Sequence, residues 1–160
     1  MKKSKRKVIA IILALLWMIM IFMFSAQNAT SSAELSGGIE QKILSTFYPG
    51  FDDMTEEQQQ ELLSHFNIRK IAHFVAYFVL GILMFNIFVI YKKFSLLVRG
   101  LFSLICCVAY AAGDEIHQYF VPGRSCELRD VFIDSSGAIL SITILCLYCG
   151  FSKKMKDRVK

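Results

Sequence analysis

Three short polar motifs in this chain hold the residue types that proton transfer or anion binding requires. In Arg69-Lys70-Ile71-Ala72-His73-Phe74, the spacing sets Arg69, His73 and Tyr77 four residues apart, one stripe along a helix. In Asp114-Glu115-Ile116-His117-Gln118, Asp114 and His117 share a ridge with Tyr110, while Glu115 and Gln118 share the next. The third motif, residues 124–134, holds Arg124, Arg129, Asp130 and Asp134, with its two aspartates four apart. A histidine beside carboxylates can move protons near ambient pH, which makes His73, Asp114, Glu115 and Asp134 the candidate catalytic residues. Arginine forks match phosphate and carboxylate oxygens. Arg69, Arg124 and Arg129, with Gln118 and Asp130, are therefore the candidate ligand-binding residues. No H-x-x-x-H or comparable ligand spacing occurs, so no metal is expected. There is also no Ser-His-Asp pattern, glycine-rich phosphate loop or nucleotide fingerprint, and no cofactor is expected.

Apolar sequence positions these motifs. More than half of the 160 residues are hydrophobic, 55%, and they concentrate in residues 8–24, 71–90, 94–112 and 131–151. A helix crossing a hydrocarbon core needs roughly 17–25 mostly apolar residues, and all four runs qualify. The expected fold is all-α: one polytopic membrane domain over residues 1–160, a bundle of four transmembrane helices. An external amphipathic helical segment, residues 25–68, separates the first two spans. Most lysines and arginines fall in three places: Lys2, Lys3, Lys5, Arg6 and Lys7; Lys92 and Lys93; and Lys153, Lys154, Lys156, Arg158 and Lys160. Basic bias in short loops sets orientation, so both termini are expected in the cytoplasm and the protein in the plasma membrane. Arg99, inside the third span near its cytoplasmic end, reads as a headgroup anchor.

That orientation gathers the three polar motifs at one depth beneath the opposite surface. Ionisable groups at membrane depth cost about 2.5–3.5 kcal/mol each, so His73 and Asp134 must face the bundle and find partners there. The formal charge of +5 comes from the cytoplasmic ends. It suits anionic lipid headgroups; no aromatic-interleaved basic stripe points to nucleic acid.

Within the external segment, Leu35, Ile39, Ile43 and Phe47 recur every four residues, the period of an amphipathic helix that Gly37 and Gly38 weaken. Tyr48-Pro49-Gly50 ends it. A second helix follows, with Asp53 as its expected cap, Glu56 three residues on, and Leu62, Leu63 and Phe66 as its apolar face. These helices are expected to cover the outer mouth of the bundle in part or to form a solvated acidic loop. The first apolar run reads as a retained span, because cleavage after Ala26 would put bulky Phe24 where a signal peptidase needs a small residue. Cys106, Cys107, Cys146 and Cys149 lie in spans as packing residues, and Cys126 alone lies outside, so no disulfide framework is expected.

The motifs, in their order and placement around four spans, resemble the VanZ-like membrane proteins. The resemblance rests on Trp17, Phe24-Ser25-Ala26-Gln27, Arg69 through Phe74, Asp114 through Gln118, Phe120-Val121-Pro122-Gly123-Arg124, Asp130-Val131, Asp134 and Gly137. It implies a cell-envelope role. The founding member is associated with lowered sensitivity to teicoplanin, a lipid-tailed glycopeptide aimed at cell-wall precursors.

Together these features lead to an envelope membrane protein whose partners are membrane lipids or a lipid-linked cell-wall precursor. It is expected to bind or modify a lipid-linked or anionic headgroup at the outer leaflet and, as the resemblance implies, to lower sensitivity to teicoplanin-type lipoglycopeptides. Two alternatives stay open. One is a small membrane hydrolase or transferase using His73 with Glu115. The other is a non-catalytic assembly or interaction subunit, whose charges only pin helices together.

Overall fold

A computed structural model describes residues 2–65, 68–90, 93–124 and 126–158. Phe66, Tyr91, Lys92 and Lys160 lie outside the described residues, as do the side chains of Lys2, Lys3, Lys153, Lys154, Lys156 and Arg158. Six α-helices follow one another: α1 Lys2–Ser25, α2 Ala29–Phe47, α3 Glu56–His65, α4 Ile68–Val89, α5 Leu96–Tyr119 and α6 Leu128–Arg158. A short 3-10 turn, Phe51–Asp53, precedes α3. No strand occurs among the described residues. Helices α1, α4, α5 and α6 are long and apolar enough to cross a membrane, and the chain is an all-α four-helix membrane bundle.

Its outer surface is apolar in the way lipid demands. Leu16, Met23, Leu97, Phe132 and Leu147 are all more than half exposed, which in water would be an aggregation liability and in a bilayer is the solvent interface. The interior is built from Ala14, Ile21, Tyr77, Leu80, Met84, Cys107, Ala111 and Ala138. Because lipid tails are as apolar as these side chains, close packing and hydrogen bonds must hold the helices together. The most extensive contact joins α4 to α6. There Gly81 lies against Ser141 and Ala138, and Gly137 lies against the Phe74 carbonyl. A β-carbon at either glycine would meet its neighbour well inside van der Waals contact. Two hydrogen bonds to main-chain carbonyls fasten α1: Trp17 Nε1–H donates to Ala76 at 2.9 Å, and the Tyr110 hydroxyl donates to Met18 at 2.6 Å.

Two helices outrun the apolar runs that announce them. α5 continues past Ala112 to Tyr119, and α6 starts at Leu128 rather than at Val131. Hydropathy falls there because the motif residues are polar, yet neighbouring helices supply their partners and the backbone has no reason to leave the helix. Arg99 is also tied to the main chain. Its guanidinium donates to the carbonyls of Phe94 (2.8 Å from Nε) and Val89 (3.3 Å from Nη1), satisfying main-chain acceptors around the α4–α5 turn. Near that end of the bundle, Arg6 of α1 lies beside Leu83 and Asn86 of α4.

In the segment between α1 and α4, α2 runs unbroken through Gly37 and Gly38. Leu35, Ile39 and Phe47 remain exposed on it while Leu44 is buried. The cap of α3 is Thr55, not Asp53. Thr55 Oγ1 accepts from the Gln58 N–H at 3.4 Å, and Gln58 Oε1 accepts from the Thr55 N–H at 3.1 Å. That is a reciprocal capping box, legible as Thr-x-x-Gln; Asp53 instead closes the 3-10 turn. Gly50, at φ 86°, opens that turn in a conformation few other residues adopt.

The glycine contacts yield a test. Gly137→Ala should overpack the α4–α6 seam and cost about 1–3 kcal/mol, whereas Gly113→Ala, where nothing approaches within 4 Å, should be neutral or stabilise by up to about 1 kcal/mol. Thermal unfolding in detergent measures the difference.

Candidate functional site

The three motifs meet at one end of the bundle. The first turns of α4 supply Arg69, Lys70 and His73. The last two turns of α5 supply Asp114, Glu115 and Gln118, and the start of α6 supplies Asp130 and Asp134. α1 ends there too, at Ser25. The α5–α6 connection is turned by Gly123 at φ 76°, and its next residue, Arg124, points back over the site.

Gln118, fully buried, holds the network together. Its Oε1 accepts from Arg69 Nη2 and from Arg124 Nη1, each at 3.0 Å. Its Nε2 donates to Asp114 Oδ2 at 3.2 Å and to Glu115 Oε1 at 3.1 Å. One amide thus places two guanidiniums on one side and two carboxylates on the other. Asp114 Oδ2 also accepts from the Ser25 hydroxyl at 2.7 Å, and Glu115 Oε2 accepts from the Glu127 N–H at 3.1 Å. Arg124 Nε donates to the Gln27 carbonyl at 2.9 Å, tying the loop to the exit of α1. Burial, helped by the neighbouring Arg69 guanidinium, presses the Arg124 pKa below its ordinary value against the pull of Asp114, Glu115 and Asp130.

In front of this network lies a cavity of about 220 Å³. Its charged walls are Arg69, Lys70, His73, Arg124, Asp130 and Asp134, together with Glu127. Since a water claims about 30 Å³ of liquid, the space accommodates a phosphate-sized group. Lys70 Nζ stands 3.9 Å from Asp130 Oδ1. His73 Nδ1 stands 3.3 Å from Asp134 Oδ1, an ion-pair distance without hydrogen-bond alignment. Behind them, Asp114 Oδ1, both Asp134 oxygens and the Tyr77 hydroxyl are buried without a hydrogen-bond partner. One ligand atom from each of His73, Asp114 and Asp134 falls within 4.8 Å of the other two.

On the other side of His73, an apolar groove of about 390 Å³ runs between α1 and α4. Trp17, Ile21, Phe24, Ile71, Val75 and Ala76 form its walls. His73 lines both spaces.

The structure brings together Arg69, His73, Asp114, Glu115, Gln118, Arg124, Asp130 and Asp134. Arg129 stands apart: it is exposed and does not line the cavity, because the helical turn of α6 carries it off the face shared by Asp130 and Asp134. Glu115 meets Gln118 and Glu127, and the residue His73 meets is Asp134. Among the described residues, none lining the cavity comes from α2 or α3; α2 instead buttresses α4, with Glu40 Oε1 accepting from the Ile68 N–H at 2.7 Å. Sequence reasoning passed over Ser25 and Lys70 as site residues. Lys70 adjoins Arg69, and Ser25 sits in the Phe24–Gln27 motif that marks the end of α1, which was the available signal.

A sequence model of the family described as VanZ/LLP1 matches residues 10–149. No curated protein and no solved structure matches the chain.

Gln118→Leu removes the shared acceptor and donor while keeping the bulk. Hydrogen bonds to charged groups contribute about 1.5–3 kcal/mol each, so this variant should lose about 3 kcal/mol or more in detergent unfolding. Arg129→Ala should change stability by less than about 0.5 kcal/mol.

Proposed function

This chain belongs to the VanZ/LLP1 family, and on that premise we propose that it binds the anionic headgroup of a membrane lipid or lipid-linked cell-wall precursor. The observation that carries this reading is the convergence of Arg69 and Arg124 on one Gln118 oxygen at the edge of a phosphate-sized cavity. Two like charges held this close repel one another in a medium of low dielectric. An anion between them relieves that repulsion and accepts from both forks. Lys70 adds a third cation to the same wall. The neighbouring apolar groove supports a lipid over a free anion: the headgroup enters the charged cavity while its chain lies along Trp17, Phe24 and Ile71, with His73 between the two.

The lysine-rich segments, assigned to the cytoplasm by the basic bias, support an outer-leaflet location for the cavity and a plasma-membrane setting. A protein that sequesters or alters such a headgroup there competes with a lipid-tailed glycopeptide, which partitions into the same surface. This supports lowered sensitivity to teicoplanin-type drugs, with vancomycin, which has no lipid tail, less affected. A second reading is favoured by the His73–Asp134 pair on the cavity wall: a carboxylate-oriented imidazole can act as general base toward a bound headgroup.

Full-length protein in nanodiscs should bind fluorescent phosphatidylglycerol or a polyprenyl pyrophosphate saturably. Arg69→Ala and Arg124→Ala should each weaken binding roughly ten- to a hundredfold, the loss of one charged hydrogen bond. Equal binding of phosphatidylcholine, or unchanged affinity in both variants, would sink the reading. Product release abolished by His73→Ala would support turnover, and saturable binding without product would count against it.

In cells, overproduction should raise the inhibitory concentration of teicoplanin and leave that of vancomycin nearly unchanged. Arg124→Ala, expressed at wild-type abundance, should remove the difference. A phenotype that falls only in step with abundance would favour the assembly role.

A further inference from the structure

Asp134 carries both carboxylate oxygens into the bundle with no hydrogen-bond donor, at 0% exposure. Asp114, at 3%, leaves Oδ1 equally unpartnered. His73 stands at ion-pair distance from Asp134 Oδ1, while Arg69 and Arg124 are engaged at Gln118 and Lys70 stands near Asp130, which leaves Asp134 Oδ2 and Asp114 Oδ1 without a donor. Two buried carboxylates facing one imidazole call for a positive charge at their centre. A separate observation points to the same spot. The Tyr77 hydroxyl, one turn below His73 on α4, is fully buried, has no hydrogen-bond partner, and lies close enough to Asp114 and Asp134 for both to act on it electrostatically.

We propose that His73, Asp114 and Asp134 form a divalent-cation site joining α4, α5 and α6, selective for an ion of the Zn²⁺ or Mn²⁺ class. Tetrahedral ligands about 2.0–2.2 Å from an ion stand about 3.3–3.6 Å from one another. His73 Nδ1 and Asp134 Oδ1 already have that spacing, at 3.3 Å. The three ligand atoms lie within 4.8 Å of one another, so closure around an ion needs side-chain shifts of about 1 Å. One imidazole with two carboxylates suits zinc or manganese and disfavours soft ions such as Cu⁺.

Asp114 is prepared for this role by its other oxygen. The Ser25 hydroxyl and the Gln118 amide both donate to Oδ2, which orients Oδ1 inward, as outer-shell partners do in metal sites. His73 and Asp134 also line the charged cavity, so an ion held by them would be reachable from that space. The absence of a spacing motif, from which no metal was expected, follows from the ligands' arrival on three separate helices.

The site rests on side-chain geometry and stands whether or not the lipid reading does. Full-length protein, purified in detergent and stripped with chelator, is dialysed against Zn²⁺ or Mn²⁺ alone. Bound metal is then measured by mass spectrometry, and affinity by competition with a metal indicator. Wild type should retain about one ion per chain, as a three-ligand site holds. His73→Gln and Asp134→Asn should lose more than about a hundredfold in affinity, and Ser25→Ala about 10–100-fold. Cys126→Ser and Arg129→Ala should match wild type. Should Asp134→Asn fail to fold, added metal should still raise the Tm of wild type and leave that of His73→Gln unmoved. A wild type that retains no metal, or a His73→Gln variant that binds as tightly, would overturn the site.

Discussion

A polar side chain buried in a lipid-facing bundle has no water to fall back on, and the whole site is organised around that constraint. Gln118 answers it at one point. A neutral amide offers an acceptor to two arginines and donors to two carboxylates, so four charged groups from α4, α5 and the following loop are held through one side chain. A charged residue in its place would meet repulsion on one side. An apolar one would take a hydrogen bond from all four, although Asp114 would keep Ser25, Glu115 the Glu127 N–H and Arg124 the Gln27 carbonyl.

The helices reach these positions by close packing rather than by hydrophobic attraction. Gly137 lets the α6 backbone approach the Phe74 carbonyl, one residue from His73. That approach brings Asp134, roughly one turn earlier on α6, against the imidazole. Trp17 and Tyr110 then lock α1 to α4 and α5 through main-chain carbonyls, which sets Ser25 beside Asp114. Small residues at the seam and polar residues at its end are thus one design: the first determines how near the second can come.

Much of this could be read from residue order alone. Hydropathy marks the four spans because lipid imposes one length and one polarity on each. The polar stripes of α4, α5 and α6 announce an inward face because charges cannot point at lipid. Arg129 was separable from Asp130 by periodicity, since only Asp130 lies four residues before the inward-facing Asp134. Details that depend on three-dimensional pairing were less accessible. Arg99 looked like a headgroup anchor, since nothing local shows that the Phe94 and Val89 carbonyls would curl within its reach. Asp53 and Thr55 both precede helical sequence, and only the Gln58 side chain decides between them.

The surface helix α2 meets α4 through the carboxylate of Glu40, which accepts from the first amide of α4. Negative charge at a helix N-terminus is favourable, so this contact acts as a strut as well as a cap. Arg69 and Lys70 are the next residues along. Whatever displaces Glu40 therefore displaces the start of the turn that carries two of the three cavity cations.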